Sequence, residues 1–194
     1  MLNSTIQIKI KQRINKLDSQ DYDNIECWQV VEAFNKAQVE WARRQLHGTN
    51  IYKEGDEGST RRKDDLQVLL QTEPLNLSNK EIYYFDNLPQ DYLQWKRVDV
   101  YAKKDCCNKR RMTVYFAEEA DVSLLLRDTN KRPSFEWSET FCTLMGNNVN
   151  IYTNNDFEID SASLIYYRQP IKIQIQGCVD PYTNLQSTQN VLCE

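Results

Sequence analysis

The sequence predicts an α+β fold in which an N-terminal helical hairpin or bundle precedes an antiparallel, β-rich body with one short helix. Apolar residues recur at helical spacing in the first 75 residues and alternate with polar residues beyond Pro74. The chain has 194 residues with only five Gly and five Pro, which is typical of an ordered domain with its own core. We therefore divide it into a helical region (1–75), a β-rich body (76–176) and a C-terminal tail (177–194).

The clearest element is a long amphipathic helix from about Asp21 to His47. Asp23 and Glu26 stand at capping-box spacing, and Gly48 is placed where a left-handed residue would close the last turn. The predicted stripe of the helix follows an a/d rhythm and consists of Cys27, Val31, Phe34, Gln38 and Trp41.

Two shorter helices complete the predicted helical region. The first covers about residues 4–17, although the alternation of Ile6, Ile8 and Ile10 leaves a strand as the weaker alternative. The other covers about residues 60–71 and must end before Pro74, which cannot continue a helix.

The β-rich body alternates with period two and is divided by turn residues. The predicted strands are 81–85, 93–102, 111–117, 134–146, 149–153, 156–170 and 171–176, with a brief helix over 118–128. The alternation changes phase near Arg97, which favours a β-bulge. Turns are predicted at the hairpin tip 103–109, at 146–148 and at 154–156. The residues from Gly177 carry little pattern and are expected to form a flexible tail or a strand exchanged with a neighbouring chain.

The six cysteines show no CxxC or other metal-ligand spacing. Cys27 and Cys142 lie on apolar stripes, so we expect buried thiols, and we expect Cys106 and Cys107 to be free thiols in a reducing cytoplasm. The first residues lack the pattern of a signal peptide, and no apolar run is long enough for a transmembrane helix.

No catalytic, cofactor-binding or metal-binding residues are predicted, and we expect the protein not to be an enzyme. The chain has one histidine and no glycine-rich phosphate loop. The alternative is a metal-dependent hydrolase, which would need carboxylates from distant segments, such as Asp91, Asp99 and Asp121, to converge.

Three segments resemble the ring proteins that connect head to tail in crAss-like tailed bacteriophages. They are LDSQDYDNIECWQVVEAFNKAQVEWARRQLHG (17–48), LPQDYLQWKRVDVYA (88–102) and TFCTLMGNNVNIYTNNDFEIDSASLIYYRQP (140–170). The resemblance implies a virion protein, assembled in the bacterial cytoplasm, that forms a ring of about twelve copies below the portal, with different complementary faces on each subunit. It implies contacts with the portal and with neighbouring tail rings, and a lumen through which DNA passes without sequence-specific binding. Another virion component, such as a tail-tube or capsid-decoration protein, is the alternative.

Residues Trp28, Arg43 and Arg44 are the predicted subunit interface on the long helix. Trp28 and Trp41 are 13 positions apart, about 140° of net rotation, and therefore face different sides. Because Trp41 shares the apolar stripe, we expect Trp41 in the core and Trp28 against another subunit.

Overall fold

The structure is a computed structural model that describes residues 3–15, 25–47, 66–105, 109–182 and 184–191. Its helices are α1 (Asn3–Asn15), α2 (Cys27–His47) and α3 (Val122–Arg127). Its strands are β1 (Leu70–Pro74), β2 (Ser78–Lys80), β3 (Tyr83–Asn87), β4 (Tyr92–Lys103), β5 (Arg110–Phe116), β6 (Glu139–Met145), β7 (Asn148–Tyr152) and β8 (Glu158–Arg168). Within these described ranges, no helix combines the length and apolar content needed to span a membrane.

The protein is mostly β, so the predicted α+β fold class with a helical bundle is wrong. The eight strands form one curled, mixed sheet, a half-barrel, in the order β1-β8-β4-β5-β6-β7-β3-β2, and the described residues contain no helical bundle. Two compact units divide the chain: Met1–Leu69 with Gln169–Glu194, and Leu70–Arg168. The second unit contains the whole sheet.

The last predicted helix of the N-terminal region is wrong where the structure describes it. Residues 67–69 form one turn of 3-10 helix, and Leu70–Pro74 pairs with β8 as an edge strand. The ladder to β8 satisfies backbone groups that a helix would have satisfied internally, and Pro74 is tolerated because an edge strand has one unpaired side. Residues 60–65 lie outside the described ranges.

The predicted antiparallel arrangement is also wrong at one place, because β5 and β6 are parallel. Parallel neighbours need a crossover connection, and residues 117–138, which include α3, supply it. The predicted helix over 118–128 is confirmed as a short 3-10 turn followed by α3.

Local features of the sheet follow the sequence closely. The β4–β5 hairpin is confirmed, and the register between β4 and β8 shifts between Trp95 and Arg97, where the bulge was expected. Gly146 has a φ of 62°, which suits the first position of a two-residue hairpin between β6 and β7. Asn154 and Asn155 also have positive φ values in the turn before β8, a region that asparagine tolerates well.

One face of the sheet carries the core of the second unit. Its buried residues come from five strands and the adjoining loops: Leu88, Val98, Val100, Ala102, Met112, Phe135, Cys142, Val149, Ile151, Phe157, Ala162, Leu164 and Tyr166. The opposite face of β4 and β5 is charged, and Asp99 accepts hydrogen bonds there from Arg97 and Arg111. The hydrogen bond to Asp99 and the charge of that carboxylate raise the pKa of the Arg111 guanidinium.

Candidate assembly surfaces

The start of α2 is held by side-chain hydrogen bonds. The backbone N–H of Glu26 donates to Gln29 Oε1 at 3.1 Å, which is the reciprocal half of a capping box. The indole N–H of Trp28 donates to the Glu26 carboxylate, which orients the ring at the first turn. The predicted box instead joined Asp23 to Glu26, and Asp23, like Gly48 at the other end, lies outside the described residues.

A disulfide joins the start of α2 to the C-terminal segment. Cys27 is bonded to Cys178 with 5.7 Å between their Cα atoms, so the predicted free thiol at Cys27 is wrong. The partner is 151 residues away, and helix periodicity carries no information about a pairing at that separation. Cys142 is buried and free as expected, and burial raises the pKa of its thiol to about 12. Cys106 and Cys107 lie outside the described ranges.

An asparagine of α2 fixes the chain that follows the sheet. Asn35 Oδ1 accepts from the Ile173 backbone N–H at 2.8 Å, and Asn35 Nδ2 donates to the Ile173 carbonyl at 3.3 Å. The side-chain amide of Asn35 therefore satisfies both backbone groups of Ile173, as a neighbouring strand would. The strand predicted over 171–176 is wrong, because only an isolated bridge, from Gln174 to Val191, forms there. Ile173 and Ile175 are buried, but Ile171, on the same side of the predicted alternation, is 41% exposed.

The C-terminal segment folds back on itself. Val179 bridges to Gln186, and the Asp180 N–H donates to the Leu185 carbonyl at 3.0 Å. The Asp180 carboxylate accepts from the Tyr182 N–H at 2.9 Å, as in an Asx turn. Tyr182 and Leu185 are exposed to water over 81% and 70% of their surfaces.

An open groove of about 770 Å³ lies between α2 and this segment, and we call it the α2 groove. Its apolar lining residues are Trp28, Val31, Val39, Pro170, Ile173, Ile175, Val179, Pro181, Tyr182 and Leu185. Its charged lining residues are Glu32, Lys36, Lys172 and Asp180. The volume lies within the range of protein sites that bind small molecules or partner side chains.

The predicted interface residues of α2 separate into two groups. Trp28 lines the α2 groove, whereas Arg43 and Arg44 are exposed, and Arg44 pairs with Glu40 at 2.5 Å. Trp41 is 51% exposed, so its predicted place in the core is wrong. The neighbouring residue Ala42 is fully buried instead, since consecutive helix positions point about 100° apart.

A second exposed surface is the turn 134–139, which the sequence predicted as part of a strand. Ser134 and Glu139 exchange two backbone hydrogen bonds of 3.0 and 3.1 Å, and Ser138 has a φ of 56°. Phe135 is buried, but Trp137 is 79% exposed, so the two aromatics do not share one strand face. We call this feature the Trp137 turn.

The Trp137 turn is fixed by residues from distant segments. The Arg110 guanidinium donates to the carbonyls of Phe135 (3.1 Å) and Glu136 (3.3 Å) and lies 4.9 Å from the Phe135 ring centre. The Asp156 carboxylate accepts from the Phe135 N–H at 2.7 Å and from Lys104 Nζ at 2.6 Å. Burial alone would raise the pKa of the Asp156 carboxyl, but these hydrogen bonds hold that pKa below its usual value. Nothing local in 134–139 indicates these contacts, so sequence reasoning missed the turn.

The carboxylates considered for a hydrolase have other partners. Asp91 accepts a 2.9 Å hydrogen bond from the Tyr166 hydroxyl. The pKa of Tyr166 is raised, mainly because the hydroxyl is buried and also because it donates to the negatively charged Asp91. Asp99 is paired with two arginines, and Asp121 lies in the 3-10 turn before α3. Across the described ranges, no three His, Cys, Asp or Glu side chains form a group that could hold a metal ion.

Comparison with known proteins leaves the family of this chain open. No protein-family model matches it, and no curated protein sequence matches it. The likeness to phage connector rings therefore stays a prediction carried by the three sequence segments.

Proposed function

We propose that this chain is a structural virion protein of a tailed bacteriophage, forming a ring of about twelve copies in the neck or tail, where cyclic symmetry suits an axial channel. The ring would join the portal to the tail and line the conduit for DNA ejection. One observation carries the assembly role: ordered backbone holds large apolar side chains in water. Trp137, Tyr182 and Leu185 are 79%, 81% and 70% exposed in the isolated chain.

Contiguous exposed apolar surface marks sites that another molecule covers. Tyr182 and Leu185 line one groove and form such a surface. A cyclic ring needs two different, complementary surfaces on each subunit. The α2 groove is concave, and the Trp137 turn presents an exposed indole on a hydrogen-bonded turn, so the chain offers one surface of each kind.

The charges of the chain suit a conduit rather than a nucleic-acid binding site. The formal net charge is −4, which disfavours adhesion of DNA phosphates. Arg97 and Arg111 pair with Asp99 instead of forming a continuous basic face. DNA would therefore pass without sequence-specific contacts.

A tail-tube or capsid-decoration protein is the second candidate. Proteins of this kind would use the β-rich part of the chain. The mostly β architecture supports this candidate better than a helical bundle would have done. Both candidates are virion proteins, and they differ in where the protein is located on the particle.

The test is mass spectrometry of purified particles followed by a reconstruction at side-chain resolution. We expect the protein in stoichiometric amount, in a ring next to the portal. A position along the tail tube or on the capsid shell would favour the second candidate. Absence from particles, together with a monomeric state with and without portal, would refute both.

A further inference from the structure

We propose that Trp137 of one copy inserts into the α2 groove of an adjacent copy. This inference rests on the proposed assembly role and names the contact that would join subunits. The two surfaces differ, so the contact is heterologous and can repeat from copy to copy.

The size and chemistry of the two surfaces fit. The groove of about 770 Å³ has room for an indole, and Val31, Val39 and Ile173 are among its apolar lining residues. Trp28 and Tyr182 also line it and could contact the incoming ring edge to face. Tryptophan is among the residues that most often dominate binding at protein interfaces.

The Trp137 turn is held by hydrogen bonds within one chain. Arg110 bonds two carbonyls of the turn, and the Ser134–Glu139 pair closes it. A side chain presented by a rigid turn loses little conformational freedom when it binds, which favours affinity. A flexible loop with the same tryptophan would lack this advantage.

Charge is also complementary. Glu136, next to Trp137, is exposed, and Lys36 and Lys172 line the groove. A second copy therefore supplies an apolar anchor and, in Glu136, a charge opposite to that of the two lysines.

The experiment places the photoreactive residue p-benzoylphenylalanine at position 137 in the full chain and analyses assembled particles and the purified protein with portal. Mixing ¹⁵N-labelled and unlabelled copies identifies crosslinks between chains. We expect heavy–light crosslinks from position 137 to residues 28–39 or 169–188. The control is the same residue at position 124, which replaces an exposed leucine of α3 that belongs to neither surface and should give no heavy–light crosslinks to the groove.

A second measurement uses Trp137→Ala, with Trp41→Ala as its control. Trp137→Ala should keep the thermal unfolding of the wild type, because the side chain is exposed, and should weaken subunit association at least tenfold in sedimentation. Trp137→Phe should recover part of the association. Crosslinks confined to one chain, to other surfaces, or absent altogether would overturn the Trp137 contact even in a protein found in the ring. Absence of the protein from particles would instead refute the assembly role.

Discussion

Removing the Cys27–Cys178 bond should lower the free energy of unfolding substantially. The bond closes a loop with a sequence separation of 151 residues. In the chain-entropy description, a loop of this length restricts the fully unfolded chain by about 5 kcal/mol at 25 °C. This value is an upper bound for the double substitution Cys27→Ser/Cys178→Ser, because it assumes that the whole loop unfolds.

The loop closed by the disulfide includes the second compact unit, Leu70–Arg168. Whether that unit unfolds changes the expected loss of stability only slightly. If that unit stays folded while the first unfolds, roughly 50 residues of the loop gain freedom, and the same relation gives about 4 kcal/mol. The entropy depends on the logarithm of loop length, so both routes give similar values. Measured contributions of disulfides to stability are often smaller than this relation gives. We therefore expect the double substitution to lower the free energy of unfolding by about 2–4 kcal/mol.

The assay is urea unfolding under non-reducing conditions, followed by tryptophan fluorescence. Trp28 is adjacent to Cys27 and lines the α2 groove together with Cys178, so its fluorescence reports on unfolding of the first unit. Reducing the wild type should reproduce the double variant, and reductant should leave the double variant unchanged. A double variant whose unfolding free energy is within about 0.5 kcal/mol of the oxidised wild type would refute the reasoning.

Three further predictions concern single side chains. Asn35→Ala removes two hydrogen bonds to Ile173 and should cost about 2 kcal/mol in urea unfolding, and a cost below about 0.5 kcal/mol would show that the backbone finds other partners. The Cys142 thiol, with its pKa of about 12, should resist iodoacetamide at pH 8.5 in the folded protein and react once urea unfolds it; peptide mapping decides, and rapid native alkylation would contradict its burial. The lowered pKa of Asp156 should stabilise the fold above about pH 4 and lose this contribution as the pH falls through the folded value. Asp156→Asn should therefore unfold with a weaker dependence on pH below about 4, and an unchanged pH profile would contradict the role of the Lys104 pair.

Features governed by neighbouring residues could be predicted from the sequence. Helix α2 follows its apolar repeat, the bulge before Arg97 follows a change of alternation, and the turn at Gly146 follows from the backbone freedom of glycine. Each of these depends on interactions within a few residues. Interactions between residues that are close in sequence can be predicted from the sequence alone.

Features that depend on distant partners required the tertiary structure. Leu70 pairs with β8 instead of continuing a helix, β6 joins β5 in parallel, and Cys27 bonds Cys178 across 151 positions. The display of Trp137 depends on Arg110 from another strand. The sequence by itself determined α2, most strands and the turns at 146–148 and 154–156, because short-range sterics and periodicity select them. Only the tertiary structure decided the mixed sheet and which aromatic side chains are exposed, since burial depends on which distant segments come together.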